Sequence, residues 1–154
     1  MAIKNEKIKR ALQDFREADH YAAIGEFVFR FSQLEFTIKA RLSNALNLPP
    51  ELFDIITSPY DFAMLCTVTA ETSKATPGLP DANKKAIDRF FKDCKSFNAQ
   101  HRVVVAHALW TTGGARHVSR NTLKPKIHFP TIAELRKRCD ELRILMIRVA
   151  ETKT

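Results

Sequence analysis

Apolar positions recur every three or four residues along most of this chain, the period of an α-helix with one buried face. From about Ile3 to Glu17, Ile8, Leu12 and Phe15 share one side of a mixed-charge stretch, which predicts a short peripheral helix. A longer helix is predicted from about Tyr21 to Leu46, with Phe27, Phe31, Leu34, Ile38, Leu42 and Ala45 along one face. Pro49-Pro50 stops it, since proline lacks the N–H that a continuing helix needs. Val28, Phe29 and Phe36 form a second stripe pointing away from the first, so this helix is expected to be covered on two sides, within a bundle or against another subunit. Glu35 falls at the border of the main face, where a carboxylate still reaches water.

Beyond the prolines the pattern predicts a short helix from Glu51, a break at Ser58-Pro59, and a helix from Tyr60 to Ala75. Thr76-Pro77-Gly78-Leu79-Pro80 is a turn, and Asp81 is the expected N-cap of the next helix. That helix, about Ala82 to Leu109, sets Ile87, Phe90, Cys94, Phe97, Val104 and Ala108 on its core side. Residues 111–130 open with a Gly pair and contain two prolines, so they form a long loop or small hairpin. Thr131-x-x-Glu134 is a capping-box pattern, followed by a closing helix whose face is Leu135, Cys139, Leu142, Met146 and Val149.

These elements predict an all-α fold, an up-and-down bundle of four to five helices with a long basic loop or small hairpin before the last one. A chain of 154 residues suits one domain, with the core drawn from about residues 21–149. No apolar run approaches the roughly 18 to 20 residues that span a bilayer, and the first twenty residues are charged throughout, so no membrane contact and a cytoplasmic location are expected. Cys66, Cys94 and Cys139 are too far apart for a zinc motif and fall on apolar faces, so they are expected in the core. Neither a metal nor a cofactor is expected.

Charge is distributed unevenly. Between Asp93 and Glu134 there is no acidic residue, while Lys95, Arg102, Arg116, Arg120, Lys124 and Lys126 supply six of the positive charges behind a formal net charge of +8. Such a window attracts a polyanion. Inside it Arg102 and His107 are five residues apart near the end of a helix. On an α-helical wheel they flank the apolar face ~140° apart with a rise of ~7.5 Å, and a long guanidinium can still reach a phosphate that the imidazole also touches. Asn98, four residues earlier on the Arg side, is a candidate for the same ligand, and Arg116, Arg120, Lys124 and Lys126 are candidate RNA contacts. His20, His101, His117 and His128 have no metal-ligand spacing and read as ordinary surface or loop histidines. No phosphate-binding Gly-rich loop, nucleophile elbow or HExxH motif is present.

In this context the segment FNAQHRVVVAHALW, Phe97 to Trp110, resembles the Arg-x4-6-His motif of HEPN-domain ribonucleases, which stands near the end of their penultimate helix. The stretch GEFVFRFSQLEFTIKARL, Gly25 to Leu42, is similar to that family's first long helix. The resemblance covers roughly Tyr21 to Val149 and implies a metal-independent endoribonuclease that uses no cofactor. His107 would be the acid–base residue and Arg102 would orient and stabilise the scissile phosphate. It further implies a homodimer lining one cleft with two Arg/His pairs, a toxin role in a toxin–antitoxin or antiviral system, and an antitoxin protein as partner. The family usually places a polar residue, often Asn, directly after the Arg, where this chain has Val103. The alternatives are a catalytically inactive HEPN-like module that binds RNA or a partner, and a helical oligomerisation or adaptor protein.

Overall fold

The computed structural model describes the backbone of residues 2–152, with side chains described at Glu6, Lys9 and from Glu17 onward. Helix α1 (Ala2–Ala45) is a single rod. The expected separation into two helices does not occur, because Ala18-Asp19-His20 contains neither Pro nor Gly to interrupt the backbone ladder. The side chains of Ile8, Leu12 and Phe15, expected to share a face, lie outside the described residues. The rod ends at Ala45, two residues before Asn47, which turns the chain with a φ of 50°, a conformation this side chain tolerates. Pro50 then opens α2 (Pro50–Thr57) at a position where its missing N–H costs nothing.

Helix α3 (Phe62–Lys74) starts two residues later than the pattern predicts, because the Asp61 carboxylate accepts the Met64 N–H at 2.8 Å and fixes the start there. Helix α4 (Asp81–Phe97) has Pro80 rather than Asp81 at its cap. Asp81 is instead its first residue and pairs with Lys84 at 3.5 Å. The ladder then widens into a π turn (Asn98–Arg102), where the Val103 N–H donates to the Asn98 carbonyl, before a last short helix, α5 (Val103–His107). Ala108 is extended, so the helix ends earlier than the expected Leu109.

Residues 111–130 are more ordered than a loop or a two-stranded hairpin. Strands β1 (Leu109–Thr111), β2 (Gly114–Val118) and β3 (Pro125–His128) form an antiparallel meander in that order. Helix α6 (Ile132–Glu151) closes the chain, and the Thr131 hydroxyl accepts the Glu134 N–H at 3.3 Å as the capping-box pattern predicts.

The architecture is a mostly helical bundle with a small sheet at one end. Helix α1 lies along α6 and α3, and α3 packs on α4. Phe27, Phe31, Leu34, Ile38 and Leu42 are buried along α1 as expected, while Ala45 is exposed beyond the core. The Phe27 ring stacks on Phe97 at 5.8 Å, and Phe31 meets Phe62 at 4.6 Å. All three cysteines are free and buried. Burial pushes the Cys139 thiol up to about 11, and the neighbouring Cys66 thiol together with burial raises Cys94, so neither is a ready nucleophile. Ion pairs tie the helices outside this core. Lys74 reaches Asp88 at 2.7 Å, Arg143 reaches Glu26 at 3.2 Å, and Arg148 reaches Asp93 at 2.8 Å while lying over the Phe90 ring. Among the described residues no helix is long and apolar enough to cross a membrane.

The second stripe of α1 stays open, with Val28, Phe29 and Phe36 exposed by 55%, 64% and 59%. Phe36 meets the Phe53 ring of α2 at 5.7 Å. Glu35 pairs with Lys39 at 3.1 Å and is half-buried.

One glycine sets how closely the sheet folds on itself. Gly114 has a φ of 114°, and a Cβ there would lie 2.7 Å from the His128 carbonyl oxygen and 2.9 Å from that of Phe129. Gly114→Ala therefore combines backbone strain with a clash against main-chain atoms that cannot rotate away. A loss of about 1–3 kcal/mol in urea-induced unfolding is expected, and a variant as stable as the parent would contradict this geometry.

Candidate nucleic-acid interface

An aromatic run pins the sheet to the helix end. The Trp110 indole Nε1–H donates to the Val105 carbonyl at 3.1 Å, and its ring stacks on Phe129 at 5.9 Å, 7° from parallel. Phe129 in turn lies 6.0 Å from the His101 ring, which meets Phe97 edge-on at 5.0 Å. Ala115 of β2 is fully buried beneath. These contacts decide where the basic side chains of the sheet stand relative to the helix.

Two hollows open where sheet and helix meet. One, of about 730 Å³, is lined by Ala99, Val103, His107 and Leu109 on the helix side and by residues 116–121 on the sheet side. The other, of about 590 Å³, is lined by residues 99–101 and Val104, and by His117, Ser119, Thr122, residues 124–126 and His128. Both include Ala99, His117 and Ser119, so they adjoin along the edge of the helix, and they are taken together as the groove. Each is the size of an ordinary small-molecule site. The groove holds His101, His107, His117 and His128 together with Arg116, Arg120, Lys124 and Lys126, and no carboxylate lines it.

Several cations of the bundle are held in ion pairs. Arg30, Lys39, Lys74, Arg138 and Arg148 each sit against an Asp or Glu. Among the described residues, Arg116, Arg120, Lys124 and Lys126 have no such partner, because their window of sequence contains none to offer. Lys95 belongs to the same window but points to α3, where its ammonium donates to the Thr67 hydroxyl at 3.4 Å.

Arg102 is elsewhere. It lines a smaller hollow of about 200 Å³ with Phe27, Val28, Phe31, Ser32 and Glu35 of α1 and with Val105 and Ala106. Its guanidinium lies over the Phe31 ring at 5.7 Å, and among the described residues no carboxylate pairs with it. The π turn sets the direction in which this part of the helix faces. One extra residue in the turn rotates the helix beyond it by roughly 100° relative to an unbroken α-helix. Arg102, Val105 and Ala106 thus come round to α1. Arg102 and His107, ~140° apart on the helical wheel, open on different hollows. Asn98, half-buried in the π turn, lines neither Arg102's hollow nor the groove.

Two of the groove's imidazoles, His101 and His128, are held toward the neutral form. Burial lowers the pKa of His101, aided by Arg138 and His128 and opposed by Glu141. Burial also lowers that of His128, helped by Lys126 and His117. Among the described residues no group of three or more His, Cys, Asp or Glu is placed to hold a metal ion. The sequence pattern picked out His107 but treated His101, His117 and His128 as ordinary. Strand pairing assembles the last two, and the only trace of it in the sequence is that both fall inside the acid-free window. Comparison with protein-family models, with curated proteins and with solved structures finds no match for this chain.

Folding lowers the proton affinity of His101, so its contribution to stability is fully present above the ordinary value of 6.5 and is lost as pH falls below it. The urea midpoint is expected to drop between pH 7 and pH 5, and His101→Leu should flatten that drop. An equally steep drop in the variant would show that His101 is not its source.

Proposed function

We propose that this chain is a metal-independent endoribonuclease of HEPN type, binding RNA across the acid-free face and cutting it by attack of the ribose 2′-OH. The observation that carries this reading is that Arg116, Arg120, Lys124 and Lys126 surround the histidine groove without a carboxylate partner among the described residues. A polyphosphate backbone supplies the missing negative charge. His107, in this groove, serves as acid–base residue. Arg102, charged and unpaired among the described residues, serves to stabilise the phosphate. Internal attack restricts the substrate to RNA and leaves a 2′,3′-cyclic phosphate and a 5′-OH.

Arg102 joins such a site through a second copy of the chain. Its hollow is bordered by Val28, part of the open stripe with Phe29 and Phe36, and a homodimer packed there would bury that stripe beside Arg102. A toxin of a toxin–antitoxin or antiviral system, silenced by an antitoxin protein in the cytoplasm, is the biological setting this activity fits. A second reading, a HEPN-like module that binds RNA or a partner without cutting, is favoured by the separate hollows of Arg102 and His107 and by Val103, which follows Arg102 where the family usually carries a polar residue.

Incubation of the purified protein with total RNA in EDTA distinguishes the two. Cleavage is expected, and His107→Ala and Arg102→Ala should each slow it by about 10²-fold or more. Binding with no cleavage at any dose would establish the second reading instead. RNA affinity should fall steeply with salt, and Lys124→Ala or Lys126→Ala should each flatten the log–log slope by about 1. In sedimentation, Phe29→Asp is expected to convert a dimer to monomer, and a monomeric parent would remove the dimer.

A further inference from the structure

The hollow that holds His107 interleaves apolar and cationic side chains. Val103 and His107, four residues apart in α5, stand on one stripe of the helix end. Across from them Leu109 pairs with Arg116 between β1 and β2, so these two side chains share a face of the sheet. Alternation along β2 puts Val118 on that same face. All five line the hollow of about 730 Å³, together with Arg120 just beyond the strand. Leu109 is 65% exposed and Val118 47%, so the fold leaves the apolar part of this wall uncovered.

We propose that Val103, Leu109 and Val118 form a subsite for one unstacked base of single-stranded RNA, with Arg116 and Arg120 on the phosphates beside it. The inference rests on the reading of the acid-free face as an RNA site and adds what selects the strand. A nucleotide carries a flat, weakly hydrated ring and an anion only a few bonds apart. A surface that holds it must therefore set apolar and cationic groups at neighbour spacing. Cross-strand partners such as Leu109 and Arg116 are ~5 Å apart, which meets that need. A base laid on Leu109 and Val118 takes their exposed carbons out of water, while the guanidinium of Arg116 reaches a phosphate of the same strand.

The same wall explains a preference for unpaired RNA. In a duplex the faces of each base are covered by its neighbours and the phosphates stand outside, so a duplex meets Arg116 and Arg120 but not the apolar side chains between them. An unpaired strand can splay a base into the hollow. Such a base, lying against Val103, brings its ribose toward His107 one helical turn further along the stripe. Val103, Leu109 and Val118 are thus positioning residues. Proton transfer stays with His107, and the wall decides which strand is held against it.

The test uses the full chain and three uncleavable 2′-O-methyl probes of equal length: a mixed-sequence single strand, that strand paired with its complement, and a base-free sugar–phosphate strand. Leu109→Ala and Val118→Ala should each weaken binding of the base-bearing single strand by about fivefold and change binding of the other two probes by less than about twofold. Arg116→Gln should weaken all three. Ile144→Ala, a comparably exposed apolar side chain on α6, should change none of them. Unchanged thermal midpoints will show that every variant folds. Equal losses on the base-bearing and base-free strands, or no loss on any probe in Leu109→Ala and Val118→Ala, would overturn the inference. A parent that shows the expected preferences but cuts no RNA in EDTA would keep the subsite and remove the ribonuclease reading. A parent that binds none of the probes would overturn both.

Discussion

The site depends on the contact that holds the sheet against the helix end. Four unpaired cations crowd onto and beside three short strands, and their mutual repulsion opposes folding. The opposing force is apolar and aromatic. Trp110 stacks on Phe129, Phe129 rests near His101 and Phe97, and Ala115 is sealed below. Gly114 allows the main chain to close tightly enough for these rings to meet. The bundle thus supplies a rigid wall, and the sheet can carry charge that it could not hold together alone.

Charge is divided accordingly. In the bundle, cations are used in cross-helix ties such as Lys74 to Asp88 and Arg148 to Asp93, where a carboxylate faces each one. Exposed pairs of this sort contribute little each, so the buried faces of α1, α3, α4 and α6 carry most of the stability. On the sheet face the same residue types stand unpaired. A surface free of acids carries an uncompensated positive field, which is the electrostatic feature on which the proposed function rests.

The π turn is the second determinant. It interrupts a helix that propensity alone would continue, and it changes which residues after Phe97 face α1 and which face the sheet. Arg102 is thereby turned onto Phe31, beside the open stripe of Val28, Phe29 and Phe36, while His107 stays with the sheet. The separation of the two residues follows from the ordinary helix between them, which sets positions five apart ~140° from one another. Strand pairing brings His117 and His128 together.

By itself the sequence determined the helical elements, their buried faces and the acid-free window, because each is a local property. A period of 3.6 residues marks Phe27 to Leu42 and Leu135 to Val149 as core faces, a capping box marks the start of α6, and charge can be counted along a line. It did not determine the continuity of α1, the π turn or the three-stranded meander, since these depend on backbone ladders and packing that no short window encodes. Nor did it determine the groove. Histidines at 101, 107, 117 and 128 carry no signal as a spacing, and they converge only because antiparallel pairing sets His117 and His128 on one face while an aromatic contact presses that face onto the helix end. The tertiary structure alone decided which cations and imidazoles share a hollow, because that choice is made by strand register and helix rotation rather than by residue type.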